Sequence, residues 1–327
     1  MPDATIRDVA RRANVSVASV SRALNGLENV SEKTRERVAE AARELGYVPH
    51  AGARSLSLAR THAVGVVLPD LHGEFFSEIV RGMDREAGRH GYLLLLSTLH
   101  PEHGTTVLGA LRGRVDGLIV MAPHLDAVDL AAALPRALPA LLINTRGISG
   151  GHPAIHIGNA AGVQAVMDHL IGLGRRRLVH IAGPADNIDA QERAEAFRKA
   201  AQAANCEFEI VAGDFSEESG EAAVTDLMTR GVMFDAIFGA NDNMAIGALQ
   251  ALRAAGVRVP DDVAIAGFDD IPLARHVSLT TVQVRIAELG ERAIARLIGG
   301  LESKEFDDRE ETHEPELIVR STTRLES

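Results

Sequence analysis

The sequence predicts an α/β protein with a small helical head, a short linker and a larger body built on two parallel sheets. Two short amphipathic helices around a tight polar turn open the chain. Beyond residue 60, near-continuous apolar strands alternate with amphipathic helices in two successive series, which is the pattern of doubly wound sheets covered on both faces. Because 327 residues exceed one ordinary core, we expect a head over residues 1–49, a linker over 50–60 and a body over 61–327.

The head begins with the segment TIRDVARRANVSVASVSRALNG, whose apolar residues recur at helical spacing on both sides of a break. Thr5 and Asp8 form a capping-box pattern, and Ser16 can cap the second helix. In the second helix, Val17 and Val20 lie three residues apart, so the spacing predicts that both face inward. Two helices joined this closely cross steeply, which predicts a helix-turn-helix that places its second helix in the DNA major groove. The alternative is an ordinary helical hairpin.

The outward face of the second helix carries small and hydrogen-bonding side chains, which allow close approach to base edges. Arg22 can donate two parallel hydrogen bonds to a guanine, and Val17 and Ala18 would set the neighbouring preference through methyl contacts and fit. Further polar side chains are candidates for the phosphate contacts that position the head, namely Thr5, Ser16, Ser21, Asn25, Ser31, Thr34 and Tyr47.

The charge distribution agrees with a DNA-binding head. The whole chain has a net charge of −11, which by itself argues against DNA binding. Residues 1–60 contain ten Lys/Arg and seven Asp/Glu, a balance of +3, whereas the remainder has 24 and 38, a balance of −14. We therefore expect only the head to meet DNA phosphates, while the acidic body repels them.

A third helix should begin at Ser31 and end before Gly46, and Pro49 then requires extended chain. Residues 50–58 are too few to form a stable helix alone. At this point the motifs VSVASVSRALNG, VSEKTRERV, ELGYVP and ARSL resemble the lactose/galactose repressor family of bacterial transcription regulators. The resemblance implies a ligand-responsive regulator, most simply a repressor, that binds a near-palindromic operator as a homodimer.

The resemblance also implies a body like that of periplasmic binding proteins, divided into two subdomains. The N-subdomain would comprise residues of about 61–160 and 288–318, and the C-subdomain about 161–287 and 319–327. The chain would cross between them near residues 159–161, 285–290 and 316–320. On operator DNA, the linker would fold as a pair of hinge helices that contact the minor groove through Ala53 and Leu56, with Leu56 as an apolar wedge.

The body has a predicted order of strands and helices. Strands are expected at residues 63–68, 92–96, 117–121, 140–143, 177–182, 207–211, 236–239 and 263–267, and helices at 75–90, 106–112, 191–203, 217–229 and 244–255. The resemblance implies a last strand within residues 316–323. The charge run of residues 302–314 predicts a solvated loop. Ligands of such sheets bind at the carboxyl ends of the strands, so the predicted site is the cleft between the subdomains.

Aromatic, amide, carboxylate and guanidinium side chains follow the predicted strand ends. This set suits a polyhydroxylated ligand, because rings stack on aromatic faces and hydroxyls bond to Arg, Asn and Asp. The expected effector is a sugar or a sugar derivative. By resemblance the effector cleft is lined by Arg193, Asn241, Asp269, Phe215 and Phe75, and strand-end position adds Asp70, Phe76 and Asn144.

Several of these positions have a simpler structural interpretation. Asp242 is expected to be the N-cap of the helix that it opens, Asp270 could cap a turn, and Phe76 could belong to the core. Arg193 is harder to explain this way, because a cation at a helix start is disfavoured by the helix dipole. A ligand or an acidic partner is the better explanation for Arg193.

Other classes of protein remain as alternatives. A regulator that responds to a nucleobase or nucleoside is the closest rival, and a carbohydrate-active enzyme using Asp242 and Asp269 is a more distant one. A solute-binding protein would carry a signal peptide and would lack residues 1–60. The histidines show no metal-ligand spacing and Cys206 is the single cysteine, so we expect no metal, no cofactor and no enzymatic activity.

The chain has no apolar run of membrane-spanning length and no signal peptide, which predicts a cytoplasmic protein. Three features depart from the family pattern. His50 stands where an asparagine usually starts the hinge helix, Val284 replaces a commonly polar residue, and no heptad tail for tetramers precedes Ser327. From the missing tail we expect a dimer.

Overall fold

The computed structural model describes residues 4–25, 29–48, 60–99, 106–125, 127–145, 152–306 and 308–324. The chain forms two compact units. One comprises Met1–Ala63 with Gly113–Asp116, and the other comprises Val64–Arg112 with Gly117–Ser327. Asp116 belongs to the first unit because its carboxylate accepts the backbone N–H groups of Thr61 and His62, at 2.6 and 2.9 Å.

The head contains three helices around a small apolar core. These are α1 (Ile6–Ala13), α2 (Val17–Leu24) and α3 (Glu32–Glu44). Each helix contributes one completely buried valine, namely Val9, Val20 and Val38. Val17 does not join them, although its spacing matches, because it is 42% exposed.

The start of each head helix was predicted correctly. Thr5 and Asp8 form a reciprocal capping box at α1. Ser16 and Ser31 accept the backbone N–H groups of Ser19 and Thr34 at α2 and α3. These caps satisfy backbone donors that have no partner inside the helix.

Two of the three head helices, α1 and α3, end at left-handed residues. Asn14 turns the chain between α1 and α2 with φ of 51°, and Arg37 of α3 donates to the carbonyl oxygens of Ala13 and Asn14. Gly46, with φ of 62°, ends α3 as predicted. The hydrogen bonds of Arg37 thus hold the turn between α1 and α2 against α3.

The body is built on two six-stranded sheets. The first has the order β11-β5-β4-β3-β1-β2 and the second β12-β10-β9-β8-β6-β7. The strands are β1 (Ala63–Leu68), β2 (Leu93–Thr98), β3 (Gly117–Met121), β4 (Ala140–Ile143), β5 (Ala154–Ile157), β6 (Arg177–Ile181), β7 (Glu207–Val211), β8 (Ala236–Gly239), β9 (Ala264–Asp269), β10 (Thr280–Gln283), β11 (Glu310–His313) and β12 (Glu316–Ile318).

Helices cover the sheets and connect successive parallel strands. They are α4 (Glu74–Arg89), α5 (Thr106–Ala110), α6 (Ala127–Ala133), α7 (Asn159–Gly172), α8 (Ile188–Ala203), α9 (Glu217–Thr229), α10 (Asp242–Ala254), α11 (Pro272–His276) and α12 (Ile286–Ser303). The central strands β3, β4, β8 and β9 are buried along their whole length. The predicted fold class is therefore confirmed. No helix of the described ranges is long and apolar enough to span a membrane.

The chain passes between the two sheets three times, at short connections. The first passage joins β5 to α7, which packs on the second sheet, and the second joins β10 to α12, which packs on β3, β4 and α4. The third lies between β11 and β12. Near these connections, residues that follow strands of the two sheets bond to each other, as Asn144 does to Asp189.

Two predictions about the C-terminal part of the body are wrong. The charge run of residues 302–314 is not only a solvated loop, because β11 pairs in parallel with β5. The strand lies at a sheet edge, where charged residues can alternate with the buried His313. Glu316–Ile318 pair with Thr281–Gln283 of the second sheet, so they do not belong to the N-subdomain as expected from the 288–318 boundary.

Candidate functional site

The outward face of α2 is open in the described head. Ser16, Val17, Ala18 and Arg22 are exposed, and Ser21 is half-buried. Within the described residues, Arg22 makes no hydrogen bond or ion pair, so its five N–H donors are available for a ligand. This face offers one free guanidinium among small side chains, which suits contact with base edges in a groove.

The candidate phosphate contacts cluster at helix ends. Hydroxyl groups cap α1, α2 and α3, and backbone N–H groups at helix N-termini favour anions. The Thr5 hydroxyl already donates to Asp8 at 2.6 Å. The Ser16 and Ser31 hydroxyls accept backbone N–H groups, and their other described partners are hydroxyls at 2.9 Å. The remaining candidates are half-buried, namely Ser21, Asn25, Thr34 and Tyr47.

The hinge predictions fall on Ala53, Leu56 and His50. All three lie outside the described residues.

In the body, the structure brings five polar side chains into one buried cluster at the strand ends. They are Asn144 after β4, Asn159 and Asp189 at the starts of α7 and α8, Arg193 in α8, and Asp269 at the end of β9. All five are at most 7% exposed. We call this group the cleft cluster. Asn144, Arg193 and Asp269 were predicted from sequence, and Asn159 and Asp189 were not.

Arg193 occupies the centre of the cleft cluster. Its Nε donates to Asn159 Oδ1 at 2.8 Å and its Nη1 to the Ala240 carbonyl oxygen at 2.5 Å. The guanidinium carbon lies 3.7 Å from the centroid of the Phe268 ring, a cation–π contact. Asp269 Oδ1 is 3.6 Å from Nη1, which is an ion pair without a hydrogen bond. The acidic partner expected for Arg193 is therefore Asp269.

Asn159 and Asp189 connect Arg193 to the other sheet. Asn159 Nδ2 donates to Asp189 Oδ1 at 2.7 Å, and Asn144 Nδ2 donates to Asp189 Oδ2 at 3.2 Å. Asn144 Oδ1 in turn accepts the backbone N–H of Ile157 at 2.8 Å. Burial raises the pKa of Asp189, while Arg193 opposes that rise. The Asp189 carboxylate, which follows β6 of the second sheet, thus bonds to residues that follow β4 and β5 of the first sheet.

Asp269 has the least satisfied carboxylate of the cleft cluster. Its φ of 112° is unusual for a residue with a side chain. Its Oδ1 accepts no hydrogen bond within the described residues. Burial raises the pKa of Asp269 to about 7, with Asp189 adding to the rise and Arg193 opposing it. Such an oxygen can accept a hydrogen bond from a ligand.

Asn241 and Phe215 form a second pair beside the cleft cluster. Asn241 Oδ1 accepts the backbone N–H of Met244 at 3.0 Å, and its Nδ2 donates to the Phe215 carbonyl oxygen at 2.9 Å. Phe215 has φ of 72°, and its ring lies so close to Gly183 that a Cβ there would come within 2.4 Å of two ring atoms. Glycine at position 183 therefore fixes where the ring lies.

Asp242 and Asp270 do not have the roles expected from sequence. Asn241, not Asp242, is the N-cap of α10. Asp242 is completely buried and accepts hydrogen bonds from the Thr281 hydroxyl and from the Ile271 N–H. Burial and the neighbouring Asp269 raise its pKa well above the usual value. A glycosidase pair needs two accessible carboxyls, and Asp242 is not accessible.

Asp270 is a buried partner of charged and amide groups, not a turn cap. Its side chain is 1% exposed and pairs with Arg320 Nη2 at 2.6 Å. Gln283 Nε2 donates to its second oxygen at 2.7 Å. Val284, which follows, is also completely buried. Asp270 therefore links the end of β10, through Gln283, to the C-terminal segment, through Arg320.

The remaining candidates lie near the start of α4 and are not bonded to the cleft cluster. Asp70 is exposed, and its carboxylate accepts the N–H groups of Leu71 and His72 within its own loop. The Phe75 and Phe76 rings meet edge to face, with centroids 5.4 Å apart. Both rings are half-buried and pack against the core, so the predicted core role of Phe76 holds in part.

The described residues contain no group of three metal-ligating side chains.

Comparison with known proteins agrees with this architecture. Residues 5–50 match the family described as bacterial regulatory proteins, lacI family, and residues 167–323 match a periplasmic binding protein-like domain. The chain is 33% identical to the ribose operon repressor of Halalkalibacterium halodurans, over 98% of this chain and 97% of that one. It is 32% identical to the HTH-type transcriptional repressor CytR of Escherichia coli, over 98% and 96%.

Two solved structures are also similar along almost the whole chain. The lac repressor dimer bound to operator and the anti-inducer ONPF has a TM-score of 0.89 at 29% identity, covering 98% of this chain and 99% of that one. The transcriptional regulator CelR in complex with cellobiose has a TM-score of 0.72 at 32% identity, with the same coverage. The chain therefore belongs to the lacI family of bacterial regulatory proteins, which are ligand-responsive DNA-binding transcription regulators.

Proposed function

We propose that the chain is a cytoplasmic, homodimeric repressor whose affinity for a palindromic operator changes when a sugar or sugar derivative binds in the cleft of the body. The observation that carries the ligand part is the buried ion pair of Arg193 and Asp269, in which one carboxylate oxygen has no hydrogen-bond donor among the described residues. Buried polar atoms are normally satisfied. A bound ligand would complete this site.

Paired heads would read the operator. Two-fold symmetry of the dimer would be mirrored in paired half-sites. In each half-site Arg22 would contact a guanine, with Val17 and Ala18 against the neighbouring bases. Ser16 and Ser31, whose hydroxyls cap helices, would hold flanking phosphates. The hinge would add an apolar wedge, Leu56, at the centre of the operator.

The ligand would contact groups from both halves of the body. Arg193, Asn241 and Asp269 would bond its hydroxyls, and the Phe215 and Phe75 rings would pack on its apolar faces. Asn144, which bonds to Asp189 across the two sheets, would respond to any change in their separation. Ligand binding can shift the heads only through its different affinity for two arrangements of the body.

The test measures the affinity of the full chain for operator DNA by fluorescence anisotropy, with and without candidate sugars. The operator is first selected from random DNA with the purified protein. An active sugar should change operator affinity by about 5–150-fold. Asp269→Ala should bind operator normally and lose this response.

The matched control is Asp226→Ala, because the Asp226 side chain is 63% exposed and pairs with Arg230 on the surface. This variant should keep the full response. A response of Asp269→Ala at the wild-type ligand concentration would show that the cleft is wrongly assigned.

A further inference from the structure

The chain enters the first sheet through a group of hydrogen bonds centred on Asp116. Asp116 Oδ1 accepts the backbone N–H of Thr61 at 2.6 Å and its hydroxyl at 2.8 Å, and Oδ2 accepts the backbone N–H of His62 at 2.9 Å. The Asp116 N–H donates to the Ala63 carbonyl oxygen at 2.8 Å. Hydrogen bonds to a carboxylate are stronger than those between neutral groups. One residue thus fixes the three residues that follow the predicted linker, and we call these four residues the linker clasp.

The second sheet has the same arrangement where its first strand along the chain begins. Asp235 Oδ1 accepts the backbone N–H groups of Arg176 and Arg177, both at 3.0 Å. The Asp235 N–H donates to the Arg177 carbonyl oxygen at 2.9 Å. Asp116 directly precedes β3, which pairs in parallel with β1, and Asp235 directly precedes β8, which pairs in parallel with β6. We call this group the second clasp. The shared arrangement holds the first strand of each sheet in register.

The two clasps differ in where the chain turns. Before the second clasp, the turn is at Gly174, which follows α7 and has φ of 84°, a conformation that glycine adopts readily. In the linker clasp the turn is at His62, with φ of 52°. Arg176, which has the same place in the second clasp, is not left-handed. A left-handed conformation is costly for a residue with a side chain, and it persists where the surrounding bonds impose it. The linker clasp therefore turns the chain, whereas the second clasp only holds it.

The turn at His62 lies at the body end of the connection to the head. The head has an apolar core of its own, and the unit that contains the head also contains the whole linker clasp. A dimer binds two half-sites at once only if its two heads are held at the matching separation. A connection that swivels freely at one end permits many separations, whereas a connection with a fixed turn permits few.

We propose that the linker clasp sets the spacing between operator half-sites that the dimer accepts, with Asp116 as the positioning residue. The proposal rests on the proposed function, since it requires a dimer on a palindromic operator. It adds a determinant of DNA specificity that contacts no base. Because Asp116 acts through the linker, its loss should leave the affinity of one head for one half-site unchanged. Its loss should weaken binding to paired half-sites and widen the range of accepted spacings.

Three DNA duplexes test the proposal on the full chain by fluorescence anisotropy. They are the operator selected from random DNA by the wild type, one of its half-sites in random flanks, and the operator with one base pair inserted at its centre. The insertion rotates one half-site against the other by about 35°. The wild type should bind the inserted operator at least about tenfold more weakly than the original.

Asp116→Ala should alter this pattern in two ways. It should bind the original operator at least about tenfold more weakly than the wild type, and distinguish the inserted operator by at most about threefold. Its affinity for the half-site should equal that of the wild type.

The second clasp supplies the matched control. Asp235→Ala removes the corresponding carboxylate in the other sheet, so both variants should have lower melting temperatures. Asp235→Ala should nevertheless bind all three duplexes like the wild type. Thr61→Val is a milder variant, which removes only the hydroxyl that donates to Asp116 and accepts the Ala63 N–H at 3.3 Å. It should reduce the discrimination against the inserted operator by at least about twofold. Thr61→Val decides if sedimentation shows that Asp116→Ala forms no folded dimer.

The outcomes separate the proposal from the proposed function. A folded Asp116→Ala dimer with the wild-type preference among the three duplexes overturns the proposal. Equal losses on operator and half-site also overturn it, because Asp116 would then act on the head itself. Relaxed spacing in Asp235→Ala would assign the effect to general loosening of the body and overturn it too. Operator binding by the wild type stands in each of these cases. A wild type that bound the half-site as tightly as the operator would overturn the proposed dimeric recognition and the proposal together.

Discussion

The head and the body present their candidate functional side chains in opposite ways. In the head, Arg22 is exposed and makes no hydrogen bond or ion pair to the described residues. In the body, Arg193 is 3% exposed and is bonded to an amide and a carbonyl oxygen and paired with a carboxylate. DNA supplies the partner and the negative charge that an exposed arginine needs. A small neutral ligand supplies little charge, so its site must be prearranged inside the protein.

This difference predicts that the two arginines affect stability unequally. Arg193→Ala should lower the free energy of unfolding of the body by about 3–5 kcal/mol, because it leaves buried carboxylates without a counter-charge. Urea unfolding followed by circular dichroism measures the change. Arg198→Ala, in the same helix but with a side chain that is 43% exposed and paired with Glu195, should cost at most about 1 kcal/mol. Equal losses in the two variants would show that the buried pair has no special role.

For DNA binding, the exposed Arg22 should have the larger effect. Arg22→Ala should reduce operator affinity by ~1–3 kcal/mol and relax specificity at one base pair, while leaving unfolding unchanged. Anisotropy titrations on operator and on random DNA measure both effects. Arg11→Ala is the matched control, since Arg11 is an exposed arginine of α1 that pairs with Asp8. If Arg22→Ala weakened operator and random DNA equally, Arg22 would contact only phosphate.

The affinity of the body for its ligand should depend on pH, through the protonation of Asp269. Burial raises the pKa of Asp269 to about 7, with Arg193 lowering it and Asp189 raising it, so the carboxyl becomes neutral as the pH falls. A ligand hydroxyl that donates to Asp269 favours the ionised form. Its affinity should therefore be about tenfold weaker at pH 6 than at pH 8. Calorimetry at both pH values tests this, and Asp269→Asn should have a flat profile. A ligand affinity that rose as the pH fell would contradict the ionised acceptor.

The smallest effects should come from the helix caps. Ser31→Ala and Asn241→Ala should each cost about 1 kcal/mol, the first confined to the head and the second to the body. Hydrogen exchange in the first turns of α3 and α10 locates the losses. Asn241→Ser keeps a side-chain cap but lacks the Nδ2 donor to the Phe215 carbonyl oxygen, so it should weaken ligand binding at a smaller cost in stability than Asn241→Ala. If this variant bound ligand normally, the Asn241–Phe215 bond would have no part in recognition.

The head could be predicted from sequence more completely than the body because its signals are local. The caps of α1, α2 and α3 each involve residues three apart, and the core follows from helical spacing. In the body, the apolar central strands were equally clear. β5, β10 and β11 were missed, because these strands are short or polar and take their conformation from neighbouring strands.

The cleft cluster could be predicted only in part from the sequence. Asn159 and Arg193 are 34 residues apart, and Asn144 and Asp189 are 45 apart, so no local pattern relates them. A polar residue two positions after β5 could have indicated Asn159, had the strand been recognised. Asp189 lies in the first turn of α8, which begins at Ile188 and was predicted to begin at Gln191. Asp242 was misassigned because either member of an Asn-Asp pair can cap a helix.

The central claim is that DNA recognition and ligand recognition reside in separate side chains, coupled only through the arrangement of the body. Operator and ligand affinities of the wild type, Arg22→Ala and Asp269→Ala test it most directly, measured by anisotropy and calorimetry on the same preparations. Arg22→Ala should lose operator affinity and bind ligand normally. Asp269→Ala should bind operator normally and lose the ligand. A single variant that abolished both activities while remaining folded would contradict the claim.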